Sequence, residues 1–143
     1  MSFVEDIETF AARSINATHV HEKLVLGLVS DPGQIEQATG LDVTNYVHIL
    51  DNFGLKHGFK HHGDESYEAP RGQRAVMATD ILRVPETVAH PDRITFDGLS
   101  KHSRQPVIGF EKDFGNETLV YKAEVRKGKK EIATQTFYVR RGK

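Results

Sequence analysis

Short N-terminal helices packed on a C-terminal antiparallel β-sheet, an α+β fold, are what this chain predicts, and three observations lead there. Apolar residues recur at helical spacing through much of the first half. Beyond residue 92 the period changes to two, in runs rich in Val, Ile, Thr, Phe and Tyr. Turn signals such as Gly115-Asn116 and Lys127-Gly128 separate those runs by only a few residues, which suits hairpins. Helices followed by hairpin-linked strands place the chain in the α+β class.

Val4, Ile7, Phe10 and Ala11 form a helical stripe, so a first helix is expected over 3–13. Residues 19–30 contain LVLGLVS, a β-favouring run expected to form a strand. Asp31-Pro32 supplies an N-cap followed by a first-turn proline, and Gly40 a stop, which frames a helix around 33–39. Asp51 can cap a third helix carrying Leu55, Phe59 and His62 before Gly63 ends it. Thr79 can cap a fourth, with Ile81, Val84 and Val88 turned inward.

RITFDG, PVIGFEKD, ETLVYKAEV and KEIATQTFYVRR follow as strands, the last three forming a meander. Alternation puts Ile108 and Phe110 on one face of their strand, and Leu119, Tyr121, Ala123 and Val125 on one face of the next. Ala133, Phe137 and Val139 share a face of the last strand, interrupted by Gln135. The opposite face then presents Lys122, Thr134, Thr136 and Tyr138. Residues 1–143 are read as one domain, with 1–18 an N-terminal helical extension.

The chain has 143 residues, enough to close a core without staples. It has no cysteine, which excludes disulfides, thiolate metal sites and a cysteine nucleophile. No run of about 18 apolar residues is present, and MSFVEDIETF lacks the basic flank and apolar stretch of a secretory signal. No membrane anchoring is expected. The net charge of −1 hides a polarity. Residues 1–70 hold 4 Lys/Arg against 11 Asp/Glu, a balance of −7, and residues 71–143 hold 15 against 9, a balance of +6. Such asymmetry hints at an anionic partner for the second half, although two ordinary solvated faces would give the same arithmetic.

Histidine carries the chemistry. Four of the eight, His48, His57, His61 and His62, fall within fifteen residues. A single imidazole usually fills a structural niche. His57 and His61, four apart, would share a helix face and could ligate a metal, but Gly58 stands where the glutamate of an HExxH metalloprotease belongs. As an acid/base pair, imidazoles titrate near pH 6.5 and exchange protons at neutral pH. Downstream, Arg71 lies between Pro70 and Gly72, on constrained backbone suited to presenting a planar fork to phosphate, while Glu68 can lock that turn. Thr134, Thr136 and Tyr138 offer a row of hydroxyls on one strand. Lys122 and the hairpin lysines Lys127, Lys129 and Lys130 add positive charge. Histidines, a constrained arginine, hydroxyls and a basic half are the equipment of metal-independent RNA cleavage, in which one base activates the 2′-OH and one acid protonates the departing 5′-oxygen.

The order of these motifs resembles a known family. His57-x-x-x-x-His62-Gly63, then Glu68, Arg71-Gly72-Gln73, Thr79-Asp80, Pro91-Asp92-x-Ile94 and the closing Thr136-Phe137-Tyr138 resemble the phage and polymorphic-toxin branch of the barnase–EndoU–colicin–RelE nuclease superfamily. LVLGLVS and Gly40-Leu41-Asp42-Val43-Thr44-Asn45-Tyr46 extend the similarity back to about Lys23. The resemblance implies a compact α+β ribonuclease; with the residue set above, the expectation is an enzyme with no cofactor and no metal, acting on tRNA or other cellular RNA in the cytoplasm. It implies delivery as a toxin or a phage-encoded effector. His57 and His62 are implied as the active-site histidines, supported by Arg71, Thr136 and Tyr138, with Lys122, Lys127, Lys129, Lys130 and Thr134 expected to bind RNA. His61 is a third imidazole able to compete for either proton-transfer role. An acidic immunity or antitoxin protein is an expected partner. The competing expectations are a non-catalytic RNA- or protein-binding module of a phage head-morphogenesis protein, and a His-ligated metal hydrolase.

Overall fold

The computed structural model describes residues 3–16 and 20–142. Helix α1, Phe3–Ser14, buries Ile7, Phe10 and Ala11. The start of the expected 19–30 strand segment, His19, lies outside the described residues, and the strand itself is β1, Lys23–Leu28. In α2, Pro32–Thr39, the Asp31 carboxylate accepts from the Gln34 amide at 3.1 Å, and Gly40 closes the helix at φ 80°. Glycine, lacking a Cβ, adopts that left-handed turn without strain.

A strand absent from the sequence expectations follows. Val47–Asp51 forms β2, antiparallel to β1 and parallel to the last strand. Asp51 ends it and caps α3, Asn52–His62, accepting from the Phe53 and Gly54 amides at 2.9 and 3.2 Å. After Gly63 come the short helix α4, Glu65–Glu68, a 3-10 turn at Ala69–Arg71, and β3, Gln73–Arg74. The fourth expected helix is split into a 3-10 turn, Ala78–Arg83, and α5, Val84–Ala89. Thr79 does not cap it. The Asp80 carboxylate accepts from the Met77 amide at 2.8 Å, so the chain turns two residues earlier. Ile81, Val84 and Val88 are buried as the periodicity requires.

Strands β4, Arg93–Leu99, β5, Pro106–Phe114, β6, Glu117–Arg126, and β7, Glu131–Arg141, complete one sheet in the order β1-β2-β7-β6-β5-β4, with β3 paired to β7. Its helix-covered face holds Ile108, Phe110, Leu119, Tyr121, Val125, Phe137 and Val139. The expected face of β7 is half wrong, and Gln135 is the reason. Lys122 pairs with Thr136, yet the next residue, Ala123, pairs with Thr134, so Gln135 is an extra, bulged residue. One inserted residue flips every side chain before it. Ile132 and Thr134 therefore face the helices, and Ala133 turns to the other side with Ile49 and Glu124.

The site is positioned by the edge of β7. β2 pairs with it over 131–133 and β3 over 139–140, leaving the stretch between them to α3. Two glycines let the helix approach. A Cβ on Gly54 would overlap the Thr134 carbonyl, and one on Gly58 would overlap the Phe137 ring. The last turn of α3 is thereby seated beside the second half of β7.

A histidine-lined candidate active site

The first three candidate residues meet in one cavity. It encloses about 500 Å³ and is lined by His57, Lys60, His61, His62, Asp64, Tyr67 and Arg71. His57 and His61, one turn apart on α3, have ring centroids 4.3 Å apart. Partial burial, followed by the positive charges of His61, His62 and Lys60, holds the His57 imidazole below its ordinary pKa, which favours the neutral ring.

His62 is held differently. Its Nδ1 lies 2.9 Å from Oε1 of Glu68, whose side chain is completely buried. A proton on Nδ1 donates to that carboxylate, leaving Nε2 as the free edge of the ring. The expected turn lock between Glu68 and Arg71 exists, but the Nη1–Oε2 separation is 3.7 Å. Glu68 is first a partner of His62 and only second a partner of Arg71. Its signal in sequence is faint: a carboxylate six residues past a histidine becomes adjacent only because Gly63 ends the helix and Asp64 caps a new turn back. Tyr67 was also not anticipated. It is well exposed and carries the Arg71 guanidinium 4.9 Å from its ring centroid.

The strand residues divide. The ring of Tyr138 stands 5.3 Å from that of His62, so it belongs beside the cavity. Thr136, on the same face, does not line it, and its Oγ1 is sealed without a hydrogen-bond partner among the described residues. Thr134 leaves the set: it is 2 % exposed, its hydroxyl contacts Tyr121 at 2.7 Å and accepts from the Asp51 amide at 3.1 Å. The bulge at Gln135 turned it inward, and it anchors the start of α3 instead of reaching RNA. Lys122 pairs with Asp97 at 3.4 Å.

Lys127, Lys129 and Lys130 sit in the β6–β7 turn, exposed and without an ion pair among the described residues. Eight residues separate Lys130 from Tyr138, roughly 25 Å at about 3.3 Å per residue. The hairpin and the cavity are thus two separate features. Some cations of the second half are paired with carboxylates of the first, Arg126 with Asp51 and Arg141 with Glu65, whereas Arg74 binds Asp80 and Glu117 of its own half. Among the described residues, no three His, Asp or Glu side chains converge to hold a metal ion.

With this geometry in place, comparison with known proteins decides the family. The model of the phage-Barnase-EndoU-ColicinE5/D-RelE like nuclease 3 family matches residues 29–143. The chain belongs to this nuclease family. The match covers α2 through β7 and every residue of the cavity; α1 and β1 precede it. No curated protein and no solved structure matches the chain. As a member of a nuclease family, this nuclease has a nucleic acid as its substrate. No described helix is long and apolar enough to cross a membrane.

Proposed function

We propose that this nuclease is a metal-independent endoribonuclease of the toxin or effector type, cleaving tRNA or another cellular RNA. The observation that carries the reading is the cavity in which a neutral-leaning His57 and a carboxylate-held His62 flank Arg71. Two imidazoles in different environments are what a reaction needing one base and one acid requires.

In the proposed reaction His57 takes the proton of a ribose 2′-OH, and the freed oxygen attacks the adjacent phosphorus. Charge accumulates on the non-bridging oxygens, where Arg71 and the Tyr138 hydroxyl donate. The P–O5′ bond breaks, and His62, acting as the imidazolium with its Nδ1–H held by Glu68, passes the Nε2 proton to the departing oxygen. The products are a 2′,3′-cyclic phosphate and a 5′-hydroxyl, with atoms and protons balanced. DNA lacks the nucleophile. Lys127, Lys129 and Lys130 hold more distant phosphates. Thr136 ranks below Tyr138, because its hydroxyl is sealed away from the cavity.

The test is incubation of the protein with total RNA and with single-stranded DNA in EDTA. Cleaved RNA ending in 2′,3′-cyclic phosphate, with intact DNA, supports the reading. Activity abolished by EDTA and restored by a divalent metal would overturn it, as would intact RNA across a broad substrate panel.

A further inference from the structure

A second cavity lies away from the histidine cluster. It measures about 230 Å³ and sits between the β1–β2 edge of the sheet and α5. Leu26, Leu28, Pro85, Val88 and Ala89 supply an apolar wall, Ser30 adds a hydroxyl, and no charged side chain among the described residues contributes. The remaining wall is Gly27 and His48; the latter is 5 % exposed and touches Phe110 edge-on at 5.7 Å between ring centroids. Neither ring nitrogen of His48 has a hydrogen-bond partner among the described residues. Burying such a group unpaired costs free energy, so it signals a partner that the protein chain does not supply.

The local backbone keeps this cavity open. The ladder slips between Val25 and Gly27, leaving Leu26 as a bulge and setting Gly27 opposite His48. Gly27 has φ 139°, a conformation side-chain-bearing residues rarely adopt, and a Cβ placed there would meet nothing within 4 Å. The strand thus faces His48 with the one residue that fills no space. No residue is shared with the cavity of His57 and His62. His48 pairs with Ile132 of β7, six residues before Tyr138, so the two sites are roughly 20 Å apart at about 3.3 Å per residue.

We propose that this cavity is a binding site for a small uncharged molecule, largely apolar and bearing one hydrogen-bonding group, which that group anchors to His48. The apolar wall supplies burial, and the absence of a counter-charge excludes an ion. Burial holds the imidazole pKa down to about 4, so the ring is neutral at physiological pH and offers one donor and one acceptor. Contact requires the ring to turn a nitrogen toward the cavity, which the broad terminal torsion of histidine permits.

Phenol and benzene, used separately on the full chain, test this. Ring ¹⁵N resonances of His48 report contact, and the melting temperature reports net stabilisation. Phenol should shift the His48 nitrogens saturably and raise the melting temperature, binding about fivefold more tightly than benzene, as one added hydrogen bond predicts. His48→Leu should bind both probes equally. Ala89→Leu, which narrows the cavity from the α5 wall, should abolish both and serves where His48→Leu fails to fold. Phenol and benzene binding alike to the native chain would overturn the proposal. So would an adventitious additive only, binding without moving the His48 nitrogens, or a trapped water that phenol does not displace. RNA cleavage is not part of the readout, so the proposal stands or falls apart from the ribonuclease reading.

Discussion

His57, His62 and Glu68 can be told apart by what each does to a proton. If His57 is the base and His62 the acid, His57→Ala and His62→Ala should each lower turnover by on the order of 10²-fold or more. The thermal melt should be unchanged for His57→Ala and lowered for His62→Ala, which leaves the buried Glu68 carboxylate without its closest partner. A base must be unprotonated, and the His57 pKa is lowered. The acidic limb of the pH–rate profile should therefore lie below about 6.5, the ordinary imidazole value. His61 is one source of the lowering charge, so His61→Ala should move that limb toward higher pH, and an unmoved limb would sink the assignment to His57. Glu68→Gln, whose amide oxygen can still accept from His62 Nδ1 but carries no charge, should cost activity while leaving that acidic limb in place. His48 makes a separate demand on pH. Its folded pKa is about 4, whereas in the unfolded chain it takes a proton near pH 6.5. The unfolded state therefore binds the extra proton as pH falls, and this residue should remove about 3 kcal/mol of stability at most between pH 6.5 and 4. Denaturant titrations across that window should show the slope, and His48→Leu should flatten it.

Two elements, α3 and β7, make the site by touching. Alanine normally improves a helix interior over glycine by about 1 kcal/mol. At Gly58 the packing effect should win, because a methyl group there meets the Phe137 ring, itself packed edge-on against Phe59. Gly58→Ala should destabilise by about 1–3 kcal/mol, the usual cost of overpacking. It should also lower activity in the folded fraction, since the same turn carries His57, His61 and His62. Full activity with normal stability would show that the helix can slide without disturbing the site. β7 explains why some of the site was legible and some was not. Phe137 and Tyr138 alternate as read, so Tyr138 was correctly expected on the face away from the core. Thr134 was misplaced because period-two counting assumes an unbroken strand, and the slip at Gln135 depends on which residue of β6 stands opposite.

Across the molecule, the distance between the cavity and the basic hairpin makes RNA length a variable. An oligonucleotide that reaches only the cavity cannot touch Lys127, Lys129 and Lys130, roughly 25 Å away. Longer RNA should bind with a steeper dependence on salt, adding about −0.7 to the log–log slope for each phosphate contact on a single strand. Replacing the three lysines with Gln should flatten the slope for long RNA and leave short RNA unchanged. The bond cut should be the same, because phosphate contacts position and do not specify. An unchanged slope for long RNA would place the strand on another face. An acidic inhibitor, where one exists, should lose association rate with the same substitutions.

By itself, the sequence determined the class of fold, most of the elements and the histidine cluster, because these rest on local physics. Asp31, Asp51 and Gly40 set helix limits through hydrogen bonds to backbone groups a few residues away, Gly63 ends α3, and alternation in 106–126 needs no partner to be recognised. Tertiary structure decided everything that depends on who stands opposite. β2 is a strand because β7 and β1 flank it, Glu68 serves His62 because two caps fold the chain back, and Thr134 is buried because β7 slips against β6. The excess of cations in the second half is partly paired across the halves, by Arg126–Asp51 and Arg141–Glu65, while Lys127, Lys129 and Lys130 stay exposed. Which cations are paired is a property of position in space, and position along the chain does not carry it.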